Sequence, residues 1–276
     1  KGKKIYKFGL GQSPFPIPDI IVKELKNNAY QKNYLNVSGL FELREAVARY
    51  HSKKNKYPYT ADNVVIGPGS KELIFQTQLI TDGDLLLPSP SWVSYAPQAK
   101  IINKKIHWLR TTAKSNWHLE PRTLENICQK IQDKVKLLII NSPNNPTGTI
   151  HSDFKTLAKI AKKNDLIIIA DEIYAELDFT GEYKSLTHTY PEGTIISSGL
   201  SKWCGAGGWR LGTFIFPNEL NQIKKTLRSV ASETFTSVSS PIQYAAIKAY
   251  SEDHSNYLNK SRMILEKIAN YIYKEF

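Results

Sequence analysis

The sequence predicts an α/β fold, a large domain with a mostly parallel, seven-stranded sheet flanked by helices. Seven short apolar runs are typical of buried strands, and helical segments fit between several of them. Strands that are apolar throughout are expected where helices cover both faces of a parallel sheet. The predicted strands cover 64–66, 85–87, 106–109, 137–141, 166–170, 194–197 and 213–216.

Helices are predicted where apolar residues recur every three or four positions. The segment 1–18 is expected to be irregular because it is rich in glycine and proline. Ser152 is the expected N-cap of the helix that begins at residue 153. The predicted helices cover 19–29, 40–54, 71–80, 123–131, 153–163, 219–231, 241–250 and 254–276.

The composition is that of a globular protein. Its 276 residues are enough for one large domain, or for one domain and part of another. No run of eighteen apolar residues occurs, so no transmembrane helix is predicted. The formal charge is +12, but the basic residues lie in scattered pairs, which is typical of solvated helix faces rather than of a nucleic-acid surface.

The cysteine count also limits the function classes. Cys128 and Cys204 are the two cysteines of the chain, and they lie far apart and outside any metal-ligand spacing. A disulfide framework and a metal site are therefore not predicted, and a reducing, cytoplasmic setting fits best.

The stretch 197–212 surrounds a single lysine, Lys202, with small residues, and Arg210 follows shortly after it. Small residues let a bulky ligand approach the backbone closely. A lysine that is desolvated beside another cation has a lowered pKa, which makes its amine a nucleophile for carbonyl compounds. Arg210 could then hold a phosphate. The alternative for this stretch alone is a glycine-rich surface loop with an ordinary solvated lysine.

Polar and glycine-rich residues follow several of the predicted strands. Asp171 ends an apolar strand, and a carboxylate buried there is expected to meet a cationic partner. Asn145 lies in a proline-rich turn after 137–141, and Trp92 lies in a rigid loop, 88–95. Gly69, Ser70 and Lys71 open a helix, whose N-terminal amides are a natural phosphate site. Each feature alone has a structural explanation, and their joint occurrence at successive strand ends points to one ligand site.

Together these residues resemble the class I/II aminotransferases, the fold-type I pyridoxal-phosphate enzymes. The likeness covers nearly the whole chain, and the motifs agree in type, order and spacing. The segment 91–95 is nearest the aspartate and aromatic side of the family. The matching motifs are Tyr34 with Gly39, Gly69 with Ser70, Trp92, Asn145 to Gly148, Asp171 with Tyr174, and Lys202 with Arg210.

The resemblance implies that Lys202, Asp171 and Tyr174 are the catalytic residues. Lys202 would bind pyridoxal phosphate covalently and carry the proton between the substrate Cα and the cofactor. Asp171 would pair with the pyridinium nitrogen and keep it protonated. Tyr174 and Asn145 would hydrogen-bond the phenolic oxygen, and Trp92 would stack on the ring.

The resemblance also assigns the phosphate and substrate contacts. Arg210 would hold the phosphate together with Gly69, Ser70 and Lys71. Tyr34 would reach the phosphate of the partner subunit, which implies a homodimer with shared active sites. The implied substrate-binding residues are Gly11, Trp92 and Asn145, and Gly11 lies in the N-terminal segment 8–15 that approaches the substrate carboxylate.

One phosphate contact departs from the family pattern. Many members have a serine three residues before the lysine, and Gly199 stands there in this chain. Ser198 or Ser201 takes over that contact, or the contact is missing. Ser201 is the residue we assign to the cofactor site.

The resemblance implies three segments. Residues 1–30 contribute to a small domain and to the active site, residues 31–252 form the large cofactor-binding domain, and residues 253–276 begin a long helix leading to the small C-terminal domain. In the family that domain supplies the arginine for the substrate α-carboxylate, and it is largely absent from this sequence. The expectation is a fragment of a longer polypeptide or a truncated and impaired product.

The predicted function is transfer of an amino group from an L-amino acid, with aspartate or aromatic residues favoured, to a 2-oxo acid such as 2-oxoglutarate by a ping-pong mechanism. A lyase of the same fold and a non-catalytic, pyridoxal-phosphate-binding regulator are the alternatives. Neither a nucleic-acid partner nor a membrane is predicted.

Overall fold

A computed structural model describes residues 2, 9, 11–131, 136–151 and 153–276. The seven predicted strands form one sheet in the order β1-β7-β6-β5-β4-β2-β3, and each agrees with its predicted run to within two residues at either end. The strands are β1 (Val64–Gly67), β2 (Asp84–Ser89), β3 (Ile106–Arg110), β4 (Lys136–Asn141), β5 (Ile167–Asp171), β6 (Thr194–Gly199) and β7 (Gly212–Ile215).

The sheet is mostly parallel, as predicted. Strands β2 to β6 pair in parallel, whereas β7 lies antiparallel between β1 and β6. The register places Asn141 opposite Asp171, and Asp171 opposite Ser197. Three strand ends that carry polar residues in the sequence therefore meet at one edge of the sheet.

Nine α-helices occur among the described residues, and eight of them were predicted to within a few residues. The segment predicted over 219–231 begins instead with a short 3₁₀ turn, and Ser152, the predicted N-cap of 153–163, lies outside the described residues. The helices are α1 (Asp19–Asn27), α2 (Phe41–Asn55), α3 (Ser70–Ile80), α4 (Tyr95–Ile101), α5 (Pro121–Lys130), α6 (Lys155–Lys163), α7 (Asn221–Thr234), α8 (Ser240–Ser251) and α9 (Ser255–Glu275).

Helix α4 was missed because its sequence looks like a loop. It has seven residues, it contains Pro97, and it follows the turn-forming stretch 88–91. A segment this short shows too little periodicity to be recognised, and proline and serine are strong turn signals. Its first residue, Tyr95, is fully buried rather than part of an exposed loop.

Helices cover both faces of the sheet. Leu86 packs in one hydrophobic cluster with Leu124 of α5 and Leu157 of α6. Its neighbours on β2, Leu85 and Leu87, pack in another cluster with side chains from α3, α4 and α7. Successive residues of a strand point to opposite faces, so burial of both faces explains why the predicted strands are apolar throughout.

The N-terminal helix packs on the large domain. Ile21 of α1 is fully buried in a third cluster, with Leu43 of α2 and Ala246 of α8. The division at residues 30 and 252 stays a prediction. In the part of the chain that the structure describes, no helix is both long and apolar enough to cross a membrane.

Candidate active site

A cavity of about 760 Å³ opens at the edge of the sheet where β4, β5 and β6 end. Its walls come from the N-terminal segment, the start of α3, the loop after β2 and the connection between β6 and β7. Most of the predicted site residues line it: Gly11, Ser70, Lys71, Trp92, Asn145, Asp171, Tyr174, Ser201, Lys202 and Arg210.

Two predicted residues lie outside this cavity wall. Gly69 stands directly behind it, next to the guanidinium of Arg210. Tyr34 is 89% exposed and is not brought to the cavity within its own chain. Of the N-terminal segment, residues 8 and 10 lie outside the described residues, while Gly11 lines the cavity.

Lys202 is partly buried and points into the cavity. Its Nζ atom donates a hydrogen bond to the carbonyl oxygen of Gly11 at 2.6 Å, and it lies 5.5 Å from the centroid of the Tyr174 ring. Burial lowers the pKa of Lys202, and the positive charges of Arg210 and Lys71 lower it further, while Asp171 opposes them. Lys202 is therefore not a fully solvated loop lysine, and burial beside other cations is the condition that favours a nucleophilic lysine amine.

Asp171, the last residue of β5, is 3% exposed. Its Oδ2 atom accepts a hydrogen bond from the Tyr95 hydroxyl at 2.6 Å, and its Oδ1 atom accepts from the backbone N–H of Ile173 and from the Ser197 hydroxyl, each at 3.4 Å. Burial raises its pKa to about 6.

The sequence predicts that Asp171 contacts a cation, and these donors do not provide one. Within the described part of the chain, the groups that contact its carboxylate are neutral, and Lys202 acts on it only through its charge. A buried carboxylate held by neutral donors beside a cavity remains able to bind a cation that enters the cavity.

Tyr95 is a site residue that sequence reasoning did not identify. It lines the cavity, and its ring packs edge-on against the Trp92 ring with centroids 5.3 Å apart. Burial and the nearby Asp171 raise its pKa well above the ordinary value, so the hydroxyl keeps its proton and donates. The spacing of Trp92 and Tyr95 is the sequence signal that could have revealed it, because residues three apart share a face of a helical turn.

Asn145 is held in place by the strand before it. Its backbone N–H donates to Oδ1 of Asn141 at 2.7 Å, and its side-chain amide donates to the Tyr174 hydroxyl at 3.3 Å. The amide of Asn141 in turn donates to the carbonyl oxygen of Asp171 at 2.9 Å. The turn after β4 thus presents a polar side chain to the cavity, and Asn141 is a second residue that sequence reasoning missed.

The start of α3 and the residue Arg210 form the cationic part of the cavity. Arg210 has a left-handed backbone, with φ of 53°, and its guanidinium donates to the carbonyl oxygens of Gly207 and Pro68 at 2.8 and 3.3 Å. Lys71 Nζ lies 5.0 Å from the centroid of the Trp92 ring. Cations beside a helix N-terminus form a favourable site for an anion.

Glycines allow α3 to approach the sheet this closely. Gly67 and Gly199 both pair with Gly212 across the strands, and a Cβ atom at Gly212 would lie 2.2 Å from the backbone nitrogen of Ser70. A Cβ atom at Gly69 would lie 2.2 Å from Nη2 of Arg210. A side chain at Gly212 would therefore displace the start of α3, and a side chain at Gly69 would displace the guanidinium of Arg210.

Gly199, the departure from the family pattern, has a steric explanation. A Cβ atom there would lie 2.7 Å from the carbonyl oxygen of Leu211, which is backbone and cannot move aside cheaply. Ser201 lines the cavity, whereas Ser198 lies within β6 opposite Thr213 and is not among the cavity-lining residues of the described chain. Ser201 is therefore the better placed of the two serines.

The fold and the cavity define an α/β enzyme with its site at the carboxyl ends of the strands. The family model for aminotransferases of class I and II matches residues 3–276, so the chain belongs to that family. Its members use pyridoxal phosphate.

The chain is 31% identical over 265 residues to an aspartate aminotransferase of Thermotoga maritima, covering 92% of this chain and 68% of the relative. The crystal structure of aspartate aminotransferase from Thermotoga maritima superposes with a TM-score of 0.89 at 28% identity, over 99% of this chain and 74% of that one. The crystal structure of an aromatic aminotransferase from Pyrococcus horikoshii superposes with a TM-score of 0.88 at 28% identity, over 96% of this chain and 73% of that one. The chain spans 65 to 70% of the length of the first three relatives it matches.

Proposed function

We propose that this protein is a pyridoxal-phosphate-dependent aminotransferase that moves an amino group from aspartate or an aromatic amino acid to a 2-oxo acid such as 2-oxoglutarate. The observation that carries the proposal is the meeting of Lys202, Asp171 and Arg210 in one cavity. The amino acids are taken from the names of the relatives, several of which are aspartate aminotransferases and one an aromatic aminotransferase.

The described residues fit pyridoxal phosphate in its chemistry. Asp171 offers a buried carboxylate without a contacting cation, which suits a protonated ring nitrogen. Arg210, Lys71 and the first amides of α3 suit a phosphate dianion. Trp92 offers an aromatic face, and Lys202 offers an amine with a lowered pKa. Gly69, Ser70 and Ser201 are proposed to complete the phosphate contacts.

Pyridoxal phosphate, when bound, supplies a conjugated ring that accepts the electron pair released at the substrate Cα. Lys202 would remove the proton from that carbon and return it, because its amine lines the cavity and has a lowered pKa. Asp171 would hold positive charge at the ring nitrogen. Tyr174 and Asn145 would donate to the phenolic oxygen, and their mutual contact at 3.3 Å keeps the two groups together.

Substrate binding is proposed to involve Gly11, Trp92 and Asn145. Gly11 already contacts Lys202 through its carbonyl oxygen, so the N-terminal segment closes the cavity on the side of the reactive amine. We further propose a homodimer in which Tyr34 enters the partner's active site, since an exposed tyrosine on the segment before α2 is free to reach a second chain. Cys128 and Cys204 are buried free thiols, which supports a cytoplasmic setting.

A lyase and a non-catalytic regulator receive no support from the relatives, whose names are those of aminotransferases. The experiment is to load the purified protein with pyridoxal phosphate and record its visible absorbance, with Lys202→Ala as the variant. We expect a band from lysine-bound cofactor that the variant lacks. An identical band in both proteins would reject the assignment of Lys202. Product formation from an amino acid without a 2-oxo acid would favour the lyase.

A further inference from the structure

We propose that Tyr95 is a positioning residue: its hydroxyl holds the carboxylate of Asp171 in the orientation that meets the ring nitrogen of pyridoxal phosphate. This inference rests on the proposed function, in which Asp171 binds that nitrogen. The hydrogen bond from the Tyr95 hydroxyl to Oδ2 is 2.6 Å long, and both residues are almost fully buried, at 1% and 3% exposure.

The hydrogen bonds at Asp171 are unequal. The two donors to Oδ1, from Ile173 and Ser197, are each at 3.4 Å, near the limit of a hydrogen bond. The amide of Asn141 donates to the backbone carbonyl of Asp171 and not to its carboxylate. The carboxylate torsion of an aspartate is broad, so the short bond from Tyr95 is the contact that selects one orientation.

Tyr95 is itself rigidly held. It is the first residue of α4, and its ring belongs to the hydrophobic cluster that contains Leu87 and Ile139. Trp92 packs edge-on against it at 5.3 Å. A ring fixed on several sides places its hydroxyl with little freedom, which is what a positioning residue requires.

Tyr95 affects the ionisation of Asp171 as well as its orientation. Burial raises the pKa of Asp171, while the Tyr95 hydrogen bond and the positive charge of Lys202 lower it. Tyr174 and Tyr183 also interact with the charge of this carboxylate. Both are neutral near pH 7, as tyrosines ordinarily are, and burial raises their pKa values further. Loss of the Tyr95 hydroxyl would therefore leave Asp171 both less ordered and harder to ionise.

The test compares Tyr95→Phe with Tyr190→Phe. The Tyr190 hydroxyl donates to the carbonyl oxygen of Leu166 at 3.0 Å, and Tyr190 is buried in the cluster on the other face of the sheet. Both variants therefore lose one buried hydrogen bond. We expect Tyr95→Phe to weaken pyridoxal phosphate binding about tenfold, as loss of a hydrogen bond to a charged group does. Tyr190→Phe should bind as the wild type.

A second readout needs no cofactor. In the ligand-free protein, the carboxyl carbon of Asp171 can be titrated by NMR after selective labelling and assigned with Asp171→Asn. We expect its titration midpoint, about 6 in the wild type, to move upward in Tyr95→Phe and to stay in Tyr190→Phe. A role confined to packing would leave the midpoint in place.

The double variant shows whether Tyr95 acts through Asp171. Tyr95→Phe combined with Asp171→Asn should bind pyridoxal phosphate no more weakly than Asp171→Asn alone. Additive losses, or wild-type affinity in Tyr95→Phe, would overturn the role of Tyr95 while leaving the proposed function standing. A wild type that binds no pyridoxal phosphate would overturn the proposed function itself, and the role of Tyr95 with it.

Discussion

The Nζ atom of Lys202 and the carbonyl oxygen of Gly11 lie 2.6 Å apart, although 191 positions separate the two residues in the chain. The contact brings an N-terminal segment against the loop between β6 and β7. It covers the amine on one side while Asp171, Lys71 and Arg210 act on its charge. The surroundings and the pKa of Lys202 are therefore set jointly by distant parts of the sequence.

Lys202 should react with aldehydes at lower pH than exposed lysines do. Its pKa is lowered by burial and by neighbouring cations, so a larger fraction of its amine is neutral. Reductive trapping with pyridoxal phosphate and borohydride, followed by peptide mass spectrometry, should label Lys202 before an exposed lysine such as Lys100. Equal labelling of the two lysines across the pH series would contradict the expectation.

Asp171→Asn should stabilise the ligand-free protein near neutral pH. The folded-state pKa of about 6 exceeds the ordinary 3.8, so the folded protein binds more protons than the unfolded chain between these values. Stability from this group is therefore lost as the pH rises through that window, by up to about 3 kcal/mol. Asparagine does not ionise, so the variant does not lose this stability as the pH rises.

Urea unfolding from acid to neutral pH measures this difference. The free-energy gap between Asp171→Asn and the wild type should be small near pH 4 and largest above pH 6. Glu172, whose pKa burial raises to about 7, contributes the same trend to both proteins and cancels. A difference in unfolding free energy that shrinks as the pH rises would contradict the prediction.

Gly69→Ala should damage phosphate binding specifically. The new Cβ atom would lie 2.2 Å from Nη2 of Arg210, and φ of 95° is unfavourable for alanine, at a cost of about 1–3 kcal/mol. The ratio of affinities for pyridoxal phosphate and for pyridoxal should fall, as it should in Arg210→Ala. Gly148→Ala is the control, because φ there is also positive, at 71°, but a Cβ atom meets no other group within 4 Å. It should lose stability and keep the ratio.

Gly199→Ser should not restore the phosphate contact that the serine makes in the family pattern. Its Cβ atom would lie 2.7 Å from the Leu211 carbonyl oxygen, and we expect a loss of about 1–3 kcal/mol in unfolding free energy. Ser201→Ala should weaken binding of pyridoxal phosphate, and Ser198→Ala should leave it unchanged. Tighter binding in Gly199→Ser, with stability retained, would show that the backbone yields.

Mixed dimers test the proposal that two chains share each active site. Tyr34→Ala and Lys202→Ala should each lose most activity, because each lacks one group at both sites. In a mixed dimer, the site that contains Lys202 of one chain and Tyr34 of the other is complete. Activity should therefore return on mixing after reversible dissociation, and no return in a confirmed mixed dimer would contradict the placement of Tyr34.

The sequence was informative about the sheet because both faces of its strands are buried. Seven apolar runs were enough to locate the seven strands of the described residues, and most of the polar residues predicted beyond them line the cavity. Most site residues were assigned through a family resemblance that the family match confirms. Their individual roles stay predictions.

Three features were not predicted from the sequence, because they depend on close approach between separate elements: the hydrogen bond from Tyr95 to Asp171, the supporting contacts of Asn141 and the surroundings of Gly199. Tyr95 of α4 donates to Asp171 at the end of β5, 76 positions away in the chain. Asn141 seemed to be only the end of a strand, yet it supports both Asn145 and Asp171. The space beside Gly199 is filled by Leu211, which becomes a neighbour only because β6 and β7 pair antiparallel.

That antiparallel pair has a consequence for folding. Lys202 and Arg210 lie on one connection, residues 200–211, between neighbouring strands. Short connections close early, at a small cost in chain entropy. The hairpin of β6 and β7 can therefore bring the lysine and the arginine together before Gly11 reaches them, so one part of the cavity wall is assembled locally.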